Sequence, residues 1–422
     1  MKNTELVAQT FAQVLVISDS CISSAHGTGT LLLRHFSRYP SNKLANAYYR
    51  EQGVPAWPAS LRFEVRHGGR SFLGLALNFA ARLYNSAVLR LGLKRWSYHR
   101  PFVILPHPRE IFGDESNPEV IYSVVHSEAG LALTSELCKC MPSTVPLLQY
   151  FLDYQIAPGL GRERYLRKVL ARADEIWALT EKIAEAVSPI AASYGKSIRV
   201  QPGFHMELPS RWKENHRETG QGGFRCLISG NFWQSQMAGV VKRVWRKVQD
   251  ASPGLAPIEW YCHAESVKRT LEAVGSLEPE IHAVGFFAGE DLLERLTDAD
   301  LAIVPFNVHR KPESDYARYS LPSRLTELLA LGVPVFCIAG DETPLAAYVT
   351  RHDVGVVCDA EDECRLVQRL VAFVHDRDAR MQTGLRARRF AEVEFALEPF
   401  QRFLYSQLGS RWKATEAVIA QV

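Results

Sequence analysis

Three stretches of this 422-residue chain combine residue types at spacings that can do chemistry. The first is Tyr319-Ser-Leu-Pro-Ser-Arg-Leu-Thr-Glu-Leu-Leu-Ala-Leu-Gly-Val-Pro-Val335. Pro322 can open a helix because its first turn needs no amide hydrogen there, Ser323 and Arg324 then fall in that turn, and Gly332 ends it. An arginine beside open helix-start amides suits a diphosphate. Glu327 lies three residues after Arg324 on the same helical face, where its carboxylate can accept two hydroxyls of a ribose. The same residues admit a plainer arrangement, with Glu327 complementing the helix dipole and Arg324 in a surface ion pair.

The second stretch is Ser23-Ser-Ala-His-Gly-Thr-Gly-Thr30, which follows the apolar run Val14-Leu-Val-Ile17. Gly27, Thr28 and Gly29 would let backbone amides come close to an anion or a sugar. A tight turn needing positive φ accounts for two glycines equally well. Leu32 stands where a dinucleotide fingerprint needs its third glycine, which argues against such a site. The third stretch is Ser71 to Arg100. Asn78, Arg82, Asn85 and Arg90 fall there at helical spacing among apolar residues, and Lys94-Arg95-Trp96 and His99-Arg100 follow. Basic side chains among aromatics suit an interface bearing anionic lipid. A helix packed on its own domain with a solvated basic end is the other reading.

These stretches are embedded in an alternation of strands and helices. Val14–Ile17, Phe102–Leu105, Val120–Val125, Val145–Tyr150, Glu175–Thr180 and Ile198–Val200 read as strands, and Ala129–Cys138, Glu163–Ala171 and Glu181–Tyr194 as helices. The pattern breaks in the polar stretch Arg211 to Gln221 and then restarts. Arg225–Ser229, Ile258–Cys262, Ile281–Val284, Leu301–Val304 and Pro334–Ile338 are its strands; Gly239–Gln249, Ser266–Val274, Asp291–Thr297 and Pro322–Leu331 are its helices. Alternation of this kind predicts largely parallel sheets. The expected organisation is one domain over residues 1–205, rejoined by a last helix at about 396–422, a linker at 206–222 and a second domain over 223–395.

Composition supports two ordinary cores, with 47% apolar and 23% charged residues. No run approaches the roughly 18–20 apolar residues of a spanning helix. Met1 to Thr10 lacks the basic-then-apolar order of a secretory leader, so a cytoplasmic location is expected, with peripheral contact at the inner membrane face through residues 71–100. Residues 1–100 hold 13 Lys/Arg against 4 Asp/Glu, while the remainder holds 36 against 42, so the basic charge gathers at one end. The eight cysteines are scattered; Cys138 and Cys140 bracket one lysine without metal or redox spacing, and no metal site is expected.

The order proline, serine, basic residue, leucine, x, glutamate, then Gly-x-Pro-Val over residues 322–335 resembles the donor-site helix of GT-B glycosyltransferases, family 4 above all. Other positions agree in the same order: Gly27-Thr-Gly29, Asp174-Glu-Ile-Trp-Ala-Leu-Thr180, Val200-Gln-Pro-Gly203, Ser229-Gly-Asn231, Gly285-Phe-Phe287 and Asp298-Ala-Asp-Leu-Ala-Ile-Val-Pro305. The resemblance implies an α/β fold of two Rossmann-like, doubly wound domains facing a cleft, with a C-terminal helix crossing back to the first. It further implies a transferase moving a sugar from a nucleotide sugar, such as a UDP- or GDP-sugar, to a sugar or lipid-linked acceptor. Retention and independence of metal are part of that expectation, as is a setting in cell-surface polysaccharide or glycolipid assembly; nucleic acid is no partner. By the same likeness Glu327 binds the donor ribose, and Arg324 and Ser323 meet the diphosphate. Gly230 and Asn231 open the donor site, Gly285 and Phe286 hold the base, Gly27 to Gly29 face the sugar or its phosphate, and His126 touches the transferred sugar.

Three departures separate the chain from that pattern. Tyr319 stands where a second glutamate is usual, with Glu313 and Asp315 nearby as substitutes. Ser229-Gly-Asn-Phe-Trp-Gln234 lacks the usual arginine and lysine, and Pro202-Gly203 replaces Asn-Gly. They keep two rival readings open: an inactive GT-B scaffold or binding subunit, and a GT-B enzyme of other chemistry such as an epimerase.

Overall fold

The computed structural model describes residues 11–23, 27–50, 54–57, 59–67, 101–104, 118–125, 127–153, 163–201, 203–212, 223–232, 234–287, 289–306 and 318–409. The chain divides into two compact units, one of Met1–Gly203 with Pro399–Val422 and one of Phe204–Glu398.

Unit 1 is built on seven strands: β1 (Val14–Ser18), β2 (Leu44–Tyr48), β3 (Ala59–Arg62), β6 (Val120–Val124), β7 (Leu147–Phe151), β8 (Glu175–Ala178) and β9 (Arg199–Val200). They lie in the order β3-β2-β1-β6-β7-β8-β9, and every neighbouring pair is parallel. Helices α1 (Gly27–His35), α2 (Glu128–Lys139), α3 (Glu163–Arg172) and α4 (Glu181–Ala192) make crossovers. Every residue of β1, β6 and β7 is buried, which explains why they are apolar apart from Ser18, Ser123 and Gln149: a parallel sheet is covered on both faces. Thr180 stops β8 from running on, because its hydroxyl takes the Ile183 amide and so caps α4.

Phe102–Leu105, expected as one more strand of the parallel pattern, instead contributes β5 (Pro101–Ile104), which pairs antiparallel with β4 (Glu64–His67) in a separate ribbon. A four-residue apolar run states burial but not partner direction, so periodicity could not separate the two. The sequence reading also passed over β2 and β3. Leu-Ala-Asn-Ala-Tyr and Ala-Ser-Leu-Arg carry no β-branched residue, and only the pairing of β2 with β1 and of β3 with β2 makes them strands.

Unit 2 carries six parallel strands: β10 (Cys226–Ser229), β11 (Ile258–Tyr261), β12 (Ile281–Gly285), β13 (Leu301–Pro305), β14 (Val335–Ile338) and β15 (Val356–Cys358), in the order β12-β11-β10-β13-β14-β15. Between and after them run α5 (Gln236–Ala251), α6 (Ala264–Val274), α7 (Gly289–Thr297), α8 (Arg324–Ala330), α9 (Pro344–His352), α10 (Glu363–His375) and α11 (Arg377–Glu394). In α5, Met237, Val240, Val241, Val244, Trp245 and Val248 recur at helical spacing and are all buried against the sheet. Both units therefore have the doubly wound Rossmann-like topology, each with a switch point beside its first strand where the order reverses.

The last described helix, α12 (Leu397–Gln407), belongs to unit 1 from Pro399 onward, as expected for a helix that crosses back. The Tyr405 hydroxyl donates to the His35 carbonyl at 2.9 Å and the Gln401 amide to the Arg34 carbonyl at 2.8 Å. These acceptors end α1, where carbonyls have no partner inside their own helix. Phe403 stacks on buried Trp177, with ring centroids 5.3 Å apart. All eight cysteines are free thiols, and no helix among the described residues is long and apolar enough to cross a membrane.

Candidate functional site

In unit 2 the switch point lies between β10 and β13, and three of the sequence-predicted residues, Gly230, Arg324 and Glu327, gather beside it. The chain leaves β10 at Gly230, whose φ of 94° lies in the left-handed region that a side chain rarely adopts. The turn is pinned from both directions: the Gly230 amide donates to the Tyr261 carbonyl at 2.9 Å, and the Trp260 indole N–H donates to the Gly230 carbonyl at 2.7 Å. A Cβ at this position would stand 3.2 Å from Arg324 Cγ, so the glycine makes room for the arginine. Arg324 Nη1 donates to Glu327 Oε2 at 2.8 Å; the arginine is about one-third exposed, and Glu327 is buried at 8% exposure. Gly230, Arg324 and Glu327, remote in sequence, thus form one cluster beside the carboxyl end of β10.

Two details differ from expectation. Helix α8 has only seven residues, and exposed Ser323 makes no side-chain cap, so the helix start itself offers a weak field and the charge is that of the arginine side chain. Glu327 is occupied by Arg324, the plainer pairing foreseen above, but the pair sits against Gly230 rather than alone on a surface. Asn231 is exposed, and its Oδ1 accepts from Ser266 at 2.6 Å.

Gly285 and Phe286 lie two strands away, across β11, roughly 10 Å off at ordinary strand spacing. Gly285 ends β12 with a φ of 125°. Phe286 is 46% exposed, and its ring stacks on His263 with centroids 3.6 Å apart and planes 18° apart. A pocket of about 640 Å³ adjoins them, lined also by Cys262, Val267, Lys268 and Leu271. Burial pushes the Cys262 thiol up to about 12, so it is a neutral wall of that pocket and not a nucleophile.

In unit 1, Gly27, Thr28 and Gly29 are not a loop after β1. They are the first residues of α1, and Gly29 is buried. The glycine-rich composition marked a turn, but the following Leu31, Leu32 and Phe36 bury and draw the helix back over it. His126, Glu313, Asp315 and the basic stretch 71–100 lie outside the described residues.

Sequence reading missed a second polar cluster at the unit 1 switch point. Asp19 follows β1 and is 5% exposed; its Oδ1 accepts a short hydrogen bond from the Ser127 hydroxyl. Ser127 caps α2 by accepting the Gly130 amide at 3.0 Å, and the Tyr49 hydroxyl lies 2.8 Å from its oxygen. A Cβ on Gly130 would stand 2.3 Å from Asp19 Oδ1, so the carboxylate presses on the start of α2. Burial, followed by the Asp19 charge, raises the Tyr49 phenol far above its ordinary value and keeps it a neutral donor. Asp19, Tyr49 and Ser127 are separated by up to 108 positions, and no spacing rule links them. Among the described residues, no group of three or more His, Cys, Asp or Glu side chains could hold a metal ion.

Both sheets share a further device at their opposite, amino ends. Asp174, before β8, accepts the Leu147 amide at 2.8 Å, and Asp300, before β13, accepts the Arg225 amide at 2.9 Å. The aspartates of the two sequence motifs therefore pin neighbouring strands and stand away from the ligand-binding ends.

With two doubly wound units and a returning C-terminal helix, the chain has the GT-B fold. It is similar in structure to a glycosyltransferase from Rickettsia africae ESF-5, at 10% identity and a TM-score of 0.57 over 95% of this chain and 99% of that one. Anabaena Alr3699/HepE in complex with UDP and glucose matches at 13% identity and a TM-score of 0.57, covering 94% and 100%. Sucrose-phosphate synthase from Thermosynechococcus elongatus matches at 13% identity and a TM-score of 0.60, covering 94% and 99%. No protein-family model matches the chain, and no curated protein matches it by sequence.

Proposed function

We propose that this protein is a glycosyltransferase that takes a sugar from a nucleotide-sugar donor held by unit 2 and passes it to a hydroxyl of a sugar or lipid-linked acceptor held by unit 1. The observation that carries the reading is the Arg324–Glu327 pair packed on Gly230 at the switch point of unit 2. A nucleoside diphosphate would draw Arg324 onto its phosphates, and Glu327 would then turn its carboxylate to the ribose hydroxyls. Phe286 with His263 offers an aromatic face for the base beside an apolar pocket. In support, the similar Anabaena structures hold UDP, UDP with glucose, and UDP-glucose.

Departure of the nucleotide builds negative charge on the diphosphate, so a cation that binds this charge more strongly as it grows lowers the barrier. Arg324 supplies that cation without a metal. Retention at the anomeric carbon, transfer of a hexose, and a role in cell-surface polysaccharide or glycolipid assembly are carried over from the family 4 likeness, and contact with the cytoplasmic membrane face from the basic stretch 71–100. On unit 1, the Asp19–Ser127–Tyr49 cluster supplies a carboxylate and two hydroxyls of the kind that hold sugar hydroxyls.

A catalytically inactive scaffold is the second reading, favoured by Tyr319 in place of a glutamate and by the absence of basic residues in Ser229–Gln234. Thermal melting in the presence of UDP and GDP separates the two, because a ligand that prefers the folded state raises the melting temperature. A donor enzyme gains several degrees with one of them, and mass spectrometry then finds product from a nucleotide-sugar panel with envelope lipid extract. No shift with either nucleotide and no product would sink the transferase reading.

A further inference from the structure

Arg388 of α11 is a buried cation that none of the chemistry above uses. It is 7% exposed, and it bonds backbone from two separate segments as well as one carboxylate. Its Nη1 donates a short hydrogen bond to the carbonyl of Ala330, the last residue of α8, and also to the Pro209 carbonyl at 3.2 Å. Its Nε bonds Glu392 at 2.8 Å, and its guanidinium lies 5.3 Å from the Trp212 ring centroid. Pro209 and Trp212 belong to the segment on which the chain begins unit 2, a segment that also joins the end of α11 through the Met206 amide and the Phe395 carbonyl at 2.9 Å.

The turn that closes α8 is packed just as tightly. Gly332 has a φ of 67°, and a Cβ there would stand 3.1 Å from Trp212. A Cβ on Gly384, one turn before Arg388, would stand 2.3 Å from the Gly332 carbonyl, so α11 meets this turn backbone to backbone. A helix of seven residues has little stability of its own, and its place is set by what holds its ends.

We propose that Arg388 is a positioning residue for the donor site: by tying the end of α8 to the Pro209–Trp212 segment, it fixes where Arg324 and Glu327 stand. This rests on the reading of that pair as donor-binding. A misplacement of about 1 Å at a polar site is enough to weaken binding markedly. Arg380 provides an internal control. It is another buried arginine of α11, 9% exposed, but its Nη1 bonds the Phe373 and Val374 carbonyls of α10.

The test compares wild type, Arg388→Met, Arg388→Lys and Arg380→Met by hydrogen exchange of the amides over residues 324–333 and by calorimetric titration with UDP and GDP. Arg388→Met is expected to speed exchange in that window and to weaken nucleoside-diphosphate binding about tenfold. Arg388→Lys, whose ammonium can stand in for Nη1 toward the carbonyls but carries no second nitrogen for Glu392, recovers part of each. Arg380→Met lowers the melting temperature while leaving both readouts near wild type. Should Arg388→Met not fold, Trp212→Leu, which removes the ring and keeps the carbonyl bonds, is expected to give the same changes in smaller measure. Unchanged exchange over 324–333 in the Arg388 variants, or equal changes in Arg380→Met, overturns the proposal and leaves the donor reading standing. Wild-type protein that binds neither nucleotide removes the donor reading and the positioning role with it.

Discussion

The two sheets have the same winding and put different chemistry at the same topological place. Beside the first strand of unit 2 stands a partly exposed cation, Arg324, over a glycine that gives it room. At the corresponding place in unit 1 stands a buried carboxylate, Asp19, held by two hydroxyls against the start of α2. A cation selects phosphate, whereas a carboxylate with hydroxyls selects hydroxyls and repels phosphate. On the proposed reading, the topology sets where a ligand lies and one side chain per switch point selects it.

Arg324→Ala should break the comparison most visibly. Diphosphate affinity and turnover are expected to fall about 100-fold, as when a donor to developing charge is removed. Asp19→Asn should leave diphosphate affinity within about twofold while lowering turnover with acceptor roughly tenfold. Titration calorimetry and initial rates on both variants read this out, and equal loss of diphosphate binding in the two would erase the division of labour.

Gly130→Ala tests the tightness of the unit 1 cluster. Its Cβ would stand 2.3 Å from Asp19 Oδ1 and 2.7 Å from Val125 Cβ, and the expected loss of stability is about 2 kcal/mol in a urea melt. Gly230→Ala is the matching change in unit 2. There the neighbour is the flexible stem of Arg324, so most of the roughly 1 kcal/mol cost comes from the φ of 94°, with a fewfold loss of diphosphate affinity. A larger stability loss at Gly230 than at Gly130 would show that the cation is the more rigidly seated group. The smallest effect is expected from Tyr49→Phe. It removes one hydroxyl bonded to Ser127, so stability should change by under about 1 kcal/mol and the acceptor KM should rise about threefold, with the donor KM unmoved.

Five of the six strands of unit 2 were legible because they are short apolar runs bounded by helix signals, as with Cys226–Ser229 before the long apolar stripe of α5, whereas the three-residue β15, Val356–Cys358, was passed over. The segment from Pro322 to Val335 was equally readable, since Pro, Arg, Glu and Gly act there through local geometry that a few residues set. By contrast β2, β3 and the β4–β5 ribbon were hidden or misread, because what makes them strands is a partner up to about 40 residues away. The placement of Gly27–Gly29 inside α1 was missed for a related reason, since apolar burial further along the helix outweighed the local preference of glycine for a turn.

Sequence alone determined that the chain winds two α/β units and that Arg324 and Glu327 share one helical face, because those features depend on periodicities and turn chemistry within a dozen residues; the return of the last helix was read from the family resemblance. Only the tertiary structure decided that Gly230 makes room for Arg324, that Asp19, Tyr49 and Ser127 meet, and that Arg388 anchors α8. Each of these joins residues that the crossovers of a parallel sheet bring together from distant positions, and such contacts leave no period in the chain to read.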